Sequence, residues 1–294
     1  MSEYWPRITV ITPSFNQAPF LEATIQSVLS QEYPNLQYAI VDGGSTDGSA
    51  EIIERYRDRL DFVVIEPDDG QSSAINKGFA RADGKILAWL CSDDMYTPGA
   101  LRSVGRFFAD HPKAHWVIGH CRHVDPQGNL LEPSPARGVE ANPTLADLLL
   151  GREGICFPQP GSFWHRTIQE QAGPINPMLH YQMDYDLWCR FLLAGHRPML
   201  LDRELAFYRL HELSKTCSVP HRFLRERIRL RSHYARYLPL PDRIRLARLI
   251  GYLRRSYTIE TTTGRPWKMV LRRPWWLASQ QVREALWRST GKAA

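Results

Sequence analysis

Ile86-Leu-Ala-Trp-Leu-Cys-Ser-Asp-Asp-Met95 is the stretch whose reading decides the fold. Ile86 to Leu90 form a short apolar run that reads as a buried strand, and it passes directly into Ser92-Asp93-Asp94 before Thr97-Pro98 opens a helix. Two carboxylates therefore stand at the C-terminal edge of a sheet. In open α/β sheets that edge is where ligands bind, and adjacent aspartates there suit a hard divalent cation that bridges to phosphate oxygens. The plain alternative is that Asp93 and Asp94 are loop and cap residues for the helix beginning near Pro98.

Working outward, the same pattern recurs upstream. Ile8-Thr-Val-Ile-Thr12 is a β-branched strand closed by Pro13-Ser-Phe-Asn16, and a helix over Pro19–Gln31 follows with Leu21, Ile25, Val28 and Leu29 on one face. Leu36–Val41 is a second strand, ending in Asp42-Gly-Gly-Ser-Thr-Asp47, and Ile52, Ile53 and Tyr56 mark the next helix. Phe62–Ile65 is a third strand leading to Glu66-Pro-Asp-Asp-Gly-Gln71 and a helix over Ser72–Ala82. Strands alternating with helices across short polar turns spell an α/β fold with a mostly parallel sheet covered on both faces. Parallel topology stacks the turns Thr12–Asn16, Asp42–Asp47, Asp68–Gln71 and Ser92–Asp94 along one edge, so they converge on a single crevice.

Downstream, strands are expected at His115–Gly119, at Arg122–Val124 and at Leu130–Leu131, the last two hinged by Asp125-Pro-Gln-Gly128. Glu132–Pro143 reads as a loop or flap, Thr144–Leu150 as a short helix, and Gly154–Trp164 as loop and then strand. A helix starts at Met183-Asp-Tyr-Asp-Leu-Trp188, and Ala206–His211 is a strand ending in a histidine. From about Pro220 the chain is helical and arginine-rich, which divides it into a catalytic body over 1–217 and an extension over 218–294.

Charge separates those two parts. Residues 1–220 hold 19 Lys and Arg against 27 Asp and Glu, whereas 221–294 hold 18 against 4, and 16 of those 18 are arginine. Such an extension seeks a negative surface. Trp275, Trp276, Leu277, Val282 and Leu286 lie among Arg272, Arg273, Arg283 and Arg288, a mixture that suits a membrane interface, with packing on the body or on a second copy of the chain as the plain alternative. No nucleic-acid-binding fold accompanies the charge. The five cysteines are scattered without a CxxC, which fits free thiols in a reducing compartment. With no basic-then-apolar leader and no run of 18 apolar residues, the expectation is a cytoplasmic protein that does not span a membrane but is suited to its inner face.

The glycine loops of dinucleotide and P-loop chemistry are missing, since Asp42-Gly-Gly-Ser-Thr-Asp-Gly48 is not GxGxxG and GxxxxGK[ST] does not occur. A sugar-1-phosphate nucleotidyltransferase would need a glycine-rich, Arg- or Lys-bearing loop after the first strand, and Thr12–Phe20 has none. What remains is a nucleotide crevice that works through carboxylates, catalytic or binding only.

Thr12-Pro-Ser-Phe-Asn16, Val41 to Gly48, Glu66 to Gln71 with Ala74-Ile-Asn-Lys-Gly78, Ser92-Asp-Asp94, Asp184-Tyr-Asp-Leu-Trp188 and Tyr208-Arg-Leu-His211 together resemble the successive motifs of glycosyltransferase family 2, over about residues 7–217. The resemblance implies the Rossmann-like GT-A fold and an inverting, metal-dependent transfer of sugar from a nucleotide donor, usually a UDP-sugar, to a glycan or lipid-linked hydroxyl. It implies that Thr12, Pro13, Ser14 and Ser92 line the nucleotide pocket and that Asp42 bonds the base. Asp68 and Lys77 would sit beside the nucleotide and donor sugar, and Asp93 would reach the ribose or sugar. Asp94 would ligate Mn²⁺ or Mg²⁺, with His211 a second metal or pyrophosphate contact. Asp184 would be the general base. The family's acidic residue before that position is Met183 here, so Asp184 and Asp186 both stand as candidates. Structural alternatives accompany these roles: Asp184 as a helix cap, Asp186 as an early-turn acid, Asp42 and Asp47 as turn and cap residues, His211 as a surface or core histidine, Lys77 as a solvated cation, and Trp164 and Trp188 as core rather than an acceptor platform.

Overall fold

The structure, a computed structural model, describes residues 4–131, 143–152, 157–218 and 220–263. The loop expected over 132–143 falls almost wholly outside them, as does the tryptophan-rich segment around 275–288. The chain runs β1 (Ile8–Ser14), α1 (Ala18–Leu29), β2 (Leu36–Asp42), α2 (Ser49–Arg55), β3 (Phe62–Ile65), α3 (Gln71–Ala80), β4 (Ile86–Trp89), β5 (Met95–Tyr96) and α4 (Ala100–Asp110). It continues through β6 (Trp116–Val124), α5 (Leu145–Leu150), β7 (Ser162–His165), α6 (Arg166–Ala172), α7 (Met183–Leu193), β8 (Met199–Arg209), α8 (Lys215–Ser218), α9 (Pro220–Tyr234) and α10 (Leu240–Thr263).

The strands form one eight-stranded sheet in the order β3-β2-β1-β4-β7-β6-β8-β5. β1 lies parallel to both β2 and β4, and β2 parallel to β3. After β1 the chain first builds outward through β2 and β3, then returns to place β4 on the other side. The sheet's order therefore reverses at β1 and β4, and such a switch opens a crevice beyond the strands' carboxyl ends. β7 and β5 run antiparallel, so the sheet is mixed beyond β4.

Two sequence expectations change here. The pair of strands expected at His115–Gly119 and Arg122–Val124 is one strand, β6, irregular at Gly119 and His120 where it pairs with β8. Gly119 reads as a strand end, but its role is close approach: a Cβ there would run into the Leu205 side chain. β8 begins at Met199, well before Ala206, because Asp202-Arg203-Glu204 hides it. The two carboxylates face partners across the pair, with Asp202 on His120 at 2.8 Å and Glu204 on Arg122 at 2.7 Å.

Beneath the crevice lies a tryptophan-rich core. Trp89, the last residue of β4, stacks on Trp188 with centroids 6.2 Å apart, and Trp188 stacks on Trp116 at 5.0 Å. Trp164 meets both Trp89 and Trp188 edge-on. Trp164 and Trp188 are thus core, the plainer of the two readings. Ile228, Leu230, Tyr234, Leu246 and Ile250 of α9 and α10 bury into this same apolar cluster.

Candidate active site

All four polar turns reach one crevice of about 390 Å³: Pro13 and Ser14, Gly43, Asp68 with Gly70 and Gln71, and Ser92 to Asp94 line it. Met183 and Asp184 at the start of α7 close it opposite, with Tyr208, Lys215 and Phe223. Asp93, Asp94 and Asp184 therefore share a cavity. Gly43 packs closely on Asp68, since a Cβ there would stand 3.2 Å from Asp68 Oδ1.

The loop after β4 is held from below by the end of β8. Asp94 is 1% exposed, and its Oδ1 accepts the Arg209 backbone N–H at 3.0 Å. The Arg209 side chain donates to the Asp93 carbonyl at 2.9 Å and to the Pro126 carbonyl at 2.8 Å. Burial first, and then the neighbouring Asp93 charge, push the Asp94 carboxyl well above the usual carboxylate range. Ligand atoms of Cys91, Asp93 and Asp94 lie within 4.8 Å of one another. The two carboxylates are hard oxygen donors whose mutual repulsion a divalent cation would relieve, so the set fits Mn²⁺ or Mg²⁺, whereas the soft Cys91 thiol suits neither.

Asp184 and Asp186 have different occupations. Asp186 is 5% exposed and committed on both oxygens, accepting from Tyr234 at 2.7 Å and from Arg190 at 3.0 Å. Asp184 accepts from the adjacent Tyr185 N–H, at 2.6 Å, and lines the crevice. Burial raises its pKa, while the nearby Arg227 charge pulls it down. Of the two candidates, Asp184 alone lines the crevice.

Four residues expected at the site stand elsewhere. Thr12 is fully buried, with its hydroxyl 3.1 Å from that of Tyr38, because strand alternation turns it into the sheet's face. Asp42 folds its own turn, with its carboxylate accepting from the Gly44 and Ser45 backbones at 3.0 and 2.7 Å and from the Ser45 hydroxyl at 2.7 Å. Lys77 pairs with Glu66 at 2.8 Å, outside the crevice. His211 lies behind the wall, its Nε2 3.0 Å from Asp93 Oδ2, so it orients that carboxylate through its N–H. Asp47, expected as an N-cap, stands one residue before it, since Gly48 takes the N-cap of α2; its carboxylate accepts from Ser49 and from the Ala18 N–H that opens α1, a structural role.

Sequence reasoning missed Lys215. Among the described residues lining the crevice it is the one Lys or Arg, and its amine donates to Gln71 Oε1 at 2.8 Å and to the His180 carbonyl at 3.2 Å. Desolvation of that amine lowers its pKa, and the Cys91 and Asp93 groups oppose the shift. The signal was available: it is the one lysine between residues 114 and 267, four positions beyond His211. Gln71 continues the contact to Cys91 Sγ at 3.1 Å, and Gln159 binds the Trp89 carbonyl at 2.7 Å, which gives the crevice a bonded polar floor.

A family model described as glycosyl transferase family 2 matches residues 9–164. An uncharacterized glycosyltransferase of Nostoc sp. is 29% identical over 213 residues, 70% of this chain and 65% of the relative, so the match spans just under two thirds of that protein. A Bacillus subtilis glycosyltransferase assigned by name to teichuronic acid biosynthesis, TuaG, is 28% identical over 216 residues, 71% of this chain and 81% of its own. Staphylococcus aureus TarS, solved with UDP-GlcNAc, superposes with a TM-score of 0.67 at 16% identity, covering 97% of this chain and 83% of that one. The mannosyltransferase PcManGT from Pyrobaculum calidifontis, solved with GDP-Man and Mn²⁺, gives 0.64 at 18% identity over 98% and 87%. At such identities these two structures share the GT-A fold with this chain.

Proposed function

Because the chain belongs to glycosyl transferase family 2, we propose that it moves one sugar from a nucleoside diphosphate donor, a UDP-sugar, to a hydroxyl of a glycan or lipid-linked acceptor in cell-envelope polysaccharide synthesis. The observation that carries this reading is the shared cavity of Asp93, Asp94 and Asp184. Asp184 takes the acceptor's hydroxyl proton as that oxygen bonds to the anomeric carbon, and the bond to the diphosphate breaks on the opposite face, which inverts the centre. Asp94 and Asp93 would hold Mn²⁺ or Mg²⁺, which supplies positive charge to the departing diphosphate. Pro13, Ser14, Asp68 and Ser92 line the donor's side of the crevice. The donors and metal named for TarS and PcManGT support the donor class, and TuaG supports an envelope polysaccharide as product. The test is a panel of nucleotide sugars scored for Mn²⁺-dependent release of UDP or GDP. Selective release from one donor is expected, and release from none, or equally from all, would sink the reading.

Lys215 is the fixed cation for the same leaving group, releasing Gln71 and the His180 carbonyl to bind a phosphate oxygen. A hydrogen bond to a charged group contributes about 1.5–3 kcal/mol, so Lys215→Met is expected to lower kcat/KM by about ten- to a hundredfold. Unchanged kinetics would return Lys215 to a wall-building role.

The acceptor's location bears on the extension. No helix among the described residues is long and apolar enough to cross a membrane. Arg222, Arg225 and Arg229 are exposed along α9 at helical spacing, and α10 exposes Arg243, Arg245 and Arg248 beside Leu240 and Ile244. We read these as a peripheral contact with the anionic inner face of the membrane. Each arginine near such a surface is worth about 1 kcal/mol, so replacing Arg222, Arg225 and Arg229 by glutamine is expected to weaken binding to phosphatidylserine vesicles about a hundredfold. Equal sedimentation of both proteins would remove the claim.

A further inference from the structure

The extension reaches the crevice from behind. Glu226, on α9, points at the segment just before α7, and its carboxylate takes three consecutive backbone N–H groups: His180 at 3.0 Å, Tyr181 at 2.9 Å and Gln182 at 3.0 Å. The adjacent Arg227 lays its guanidinium 3.8 Å over the Tyr185 ring and donates from Nε to the Gln182 side-chain oxygen. Lys215 meanwhile holds the His180 carbonyl. The peptide leading into α7 is therefore bonded on its N–H side by α9 and on one carbonyl by α8.

This arrangement answers a problem the local sequence leaves open. The first N–H groups of a helix, and those just before it, lack intrahelical partners and carry positive partial charge. They are usually taken by a side chain at the cap, yet Gln182 at the cap of α7 makes no such bond. An aspartate early in the first turn is the next group able to fold back onto them, and Asp184 stands there. A carboxylate supplied from another helix occupies the donors of residues 180–182 through charge-assisted bonds, which leaves Asp184 to take the Tyr185 N–H on one oxygen.

We propose that Glu226 is the positioning residue for the base: by holding the N–H groups of residues 180–182 it fixes the start of α7 and leaves the Asp184 carboxylate directed into the crevice. The proposal rests on Asp184 being that base. It makes α9 part of the active site's construction, although Glu226 touches neither substrate nor metal ligand and lies beyond the family match at 9–164. Because the donor's turns after β1, β2 and β4 receive no bond from Glu226, the effect falls on turnover and not on nucleotide affinity.

The experiment compares full-length wild type, Glu226→Ala, Glu226→Gln and Asp184→Asn with Mn²⁺ and whichever of UDP-GlcNAc, UDP-glucose and GDP-mannose wild type consumes fastest, and measures the dissociation constant for the matching UDP or GDP. Misplacing a reacting group by about 1 Å costs about a hundredfold, so Glu226→Ala is expected to lose about that factor in kcat, with donor KM and nucleotide affinity within about twofold of wild type. Glu226→Gln keeps one acceptor oxygen and is expected to lose about tenfold. The Gln variant carries a second readout. The groups facing Asp184 are Glu226 and Arg227 from α9, with Asp68, Cys91, Asp93, Asp94, His180, Tyr181, Tyr208 and Lys215 around the same cavity. Glu226 holds the Asp184 pKa up, so removing its charge should shift the acid limb of kcat to lower pH, which a merely structural staple would not do. If the Ala variant does not fold, Glu226→Gln decides alone. Wild-type kcat and an unmoved limb in Glu226→Gln while Asp184→Asn is inactive, or a parallel loss of nucleotide affinity and turnover, would overturn the proposal. Full kcat in Asp184→Asn, or no turnover of any donor by wild type, would instead overturn the assignment of the base.

Discussion

Asparagine at position 184 is expected to leave UDP affinity unchanged while kcat falls by about 10²–10⁴-fold, the usual worth of a positioned proton acceptor. The amide keeps the shape of the carboxylate and can still accept from the Tyr185 N–H, as Asp184 does at 2.6 Å, so the fold should not notice the change. What disappears is the group able to take the acceptor's proton. The wild-type pH profile follows from the same site. A base works only when unprotonated, so the rate is present above its pKa and lost as pH falls through it. Burial raises the Asp184 pKa, and the acid limb should therefore lie above the roughly 3.9 of a free aspartate. The asparagine variant should lack that limb. Asp186→Asn would act differently: it disturbs the bonds to Tyr234 and Arg190 and should show first in thermal stability.

Asp94→Asn is expected to remove metal-dependent turnover, with a loss of about 10²–10³-fold, the scale of losing one preorganised stabiliser of transition-state charge. Wild type treated with a chelator should fall to the same level. In the variant, UDP should bind equally well with and without Mn²⁺. Asparagine is preferred to alanine because the Arg209 N–H at 3.0 Å must keep an acceptor: a buried unsatisfied donor costs about 1–3 kcal/mol, and that would mix a folding defect with the loss of the metal. A variant that still responds to Mn²⁺ like wild type would place the ion elsewhere.

Local patterning made the nucleotide half of this molecule readable. Ile8–Thr12, Leu36–Val41, Phe62–Ile65 and Ile86–Leu90 are short apolar runs each followed by a polar turn, and neighbouring parallel strands brought those turns together. Register separated true lining residues from expected ones. Pro13 and Ser14 line the crevice and Thr12 does not, because its side chain is turned into the sheet's buried face against Tyr38. Asp42 shows the other limit: a carboxylate two or three residues before free N–H groups serves the turn first, and a motif cannot reveal that. The second half was less legible because its determinants are long-range. Gly119 is explained by Leu205, and Asp186 is separated from Asp184 in role by Arg190 and by Tyr234, the latter 48 residues later. The arginine run on α9 reads as a uniformly basic surface, yet Arg227 lies over the Tyr185 ring and Arg231 is buried, which no periodicity in charge could announce.

Tyr234 donating to Asp186 at 2.7 Å, with Ile228 and Leu230 in the tryptophan core, has a consequence for how the molecule is made. Translation delivers β1 through β4 early and α9 late. The nascent polypeptide can thus assemble its phosphate-facing turns while still tethered to the ribosome, but the helix bearing Asp184 waits for Tyr234, 48 residues beyond Asp186. Premature stops or proteolytic clipping before α9 would remove the Tyr234 partner of Asp186 and the three bonds Glu226 makes ahead of α7.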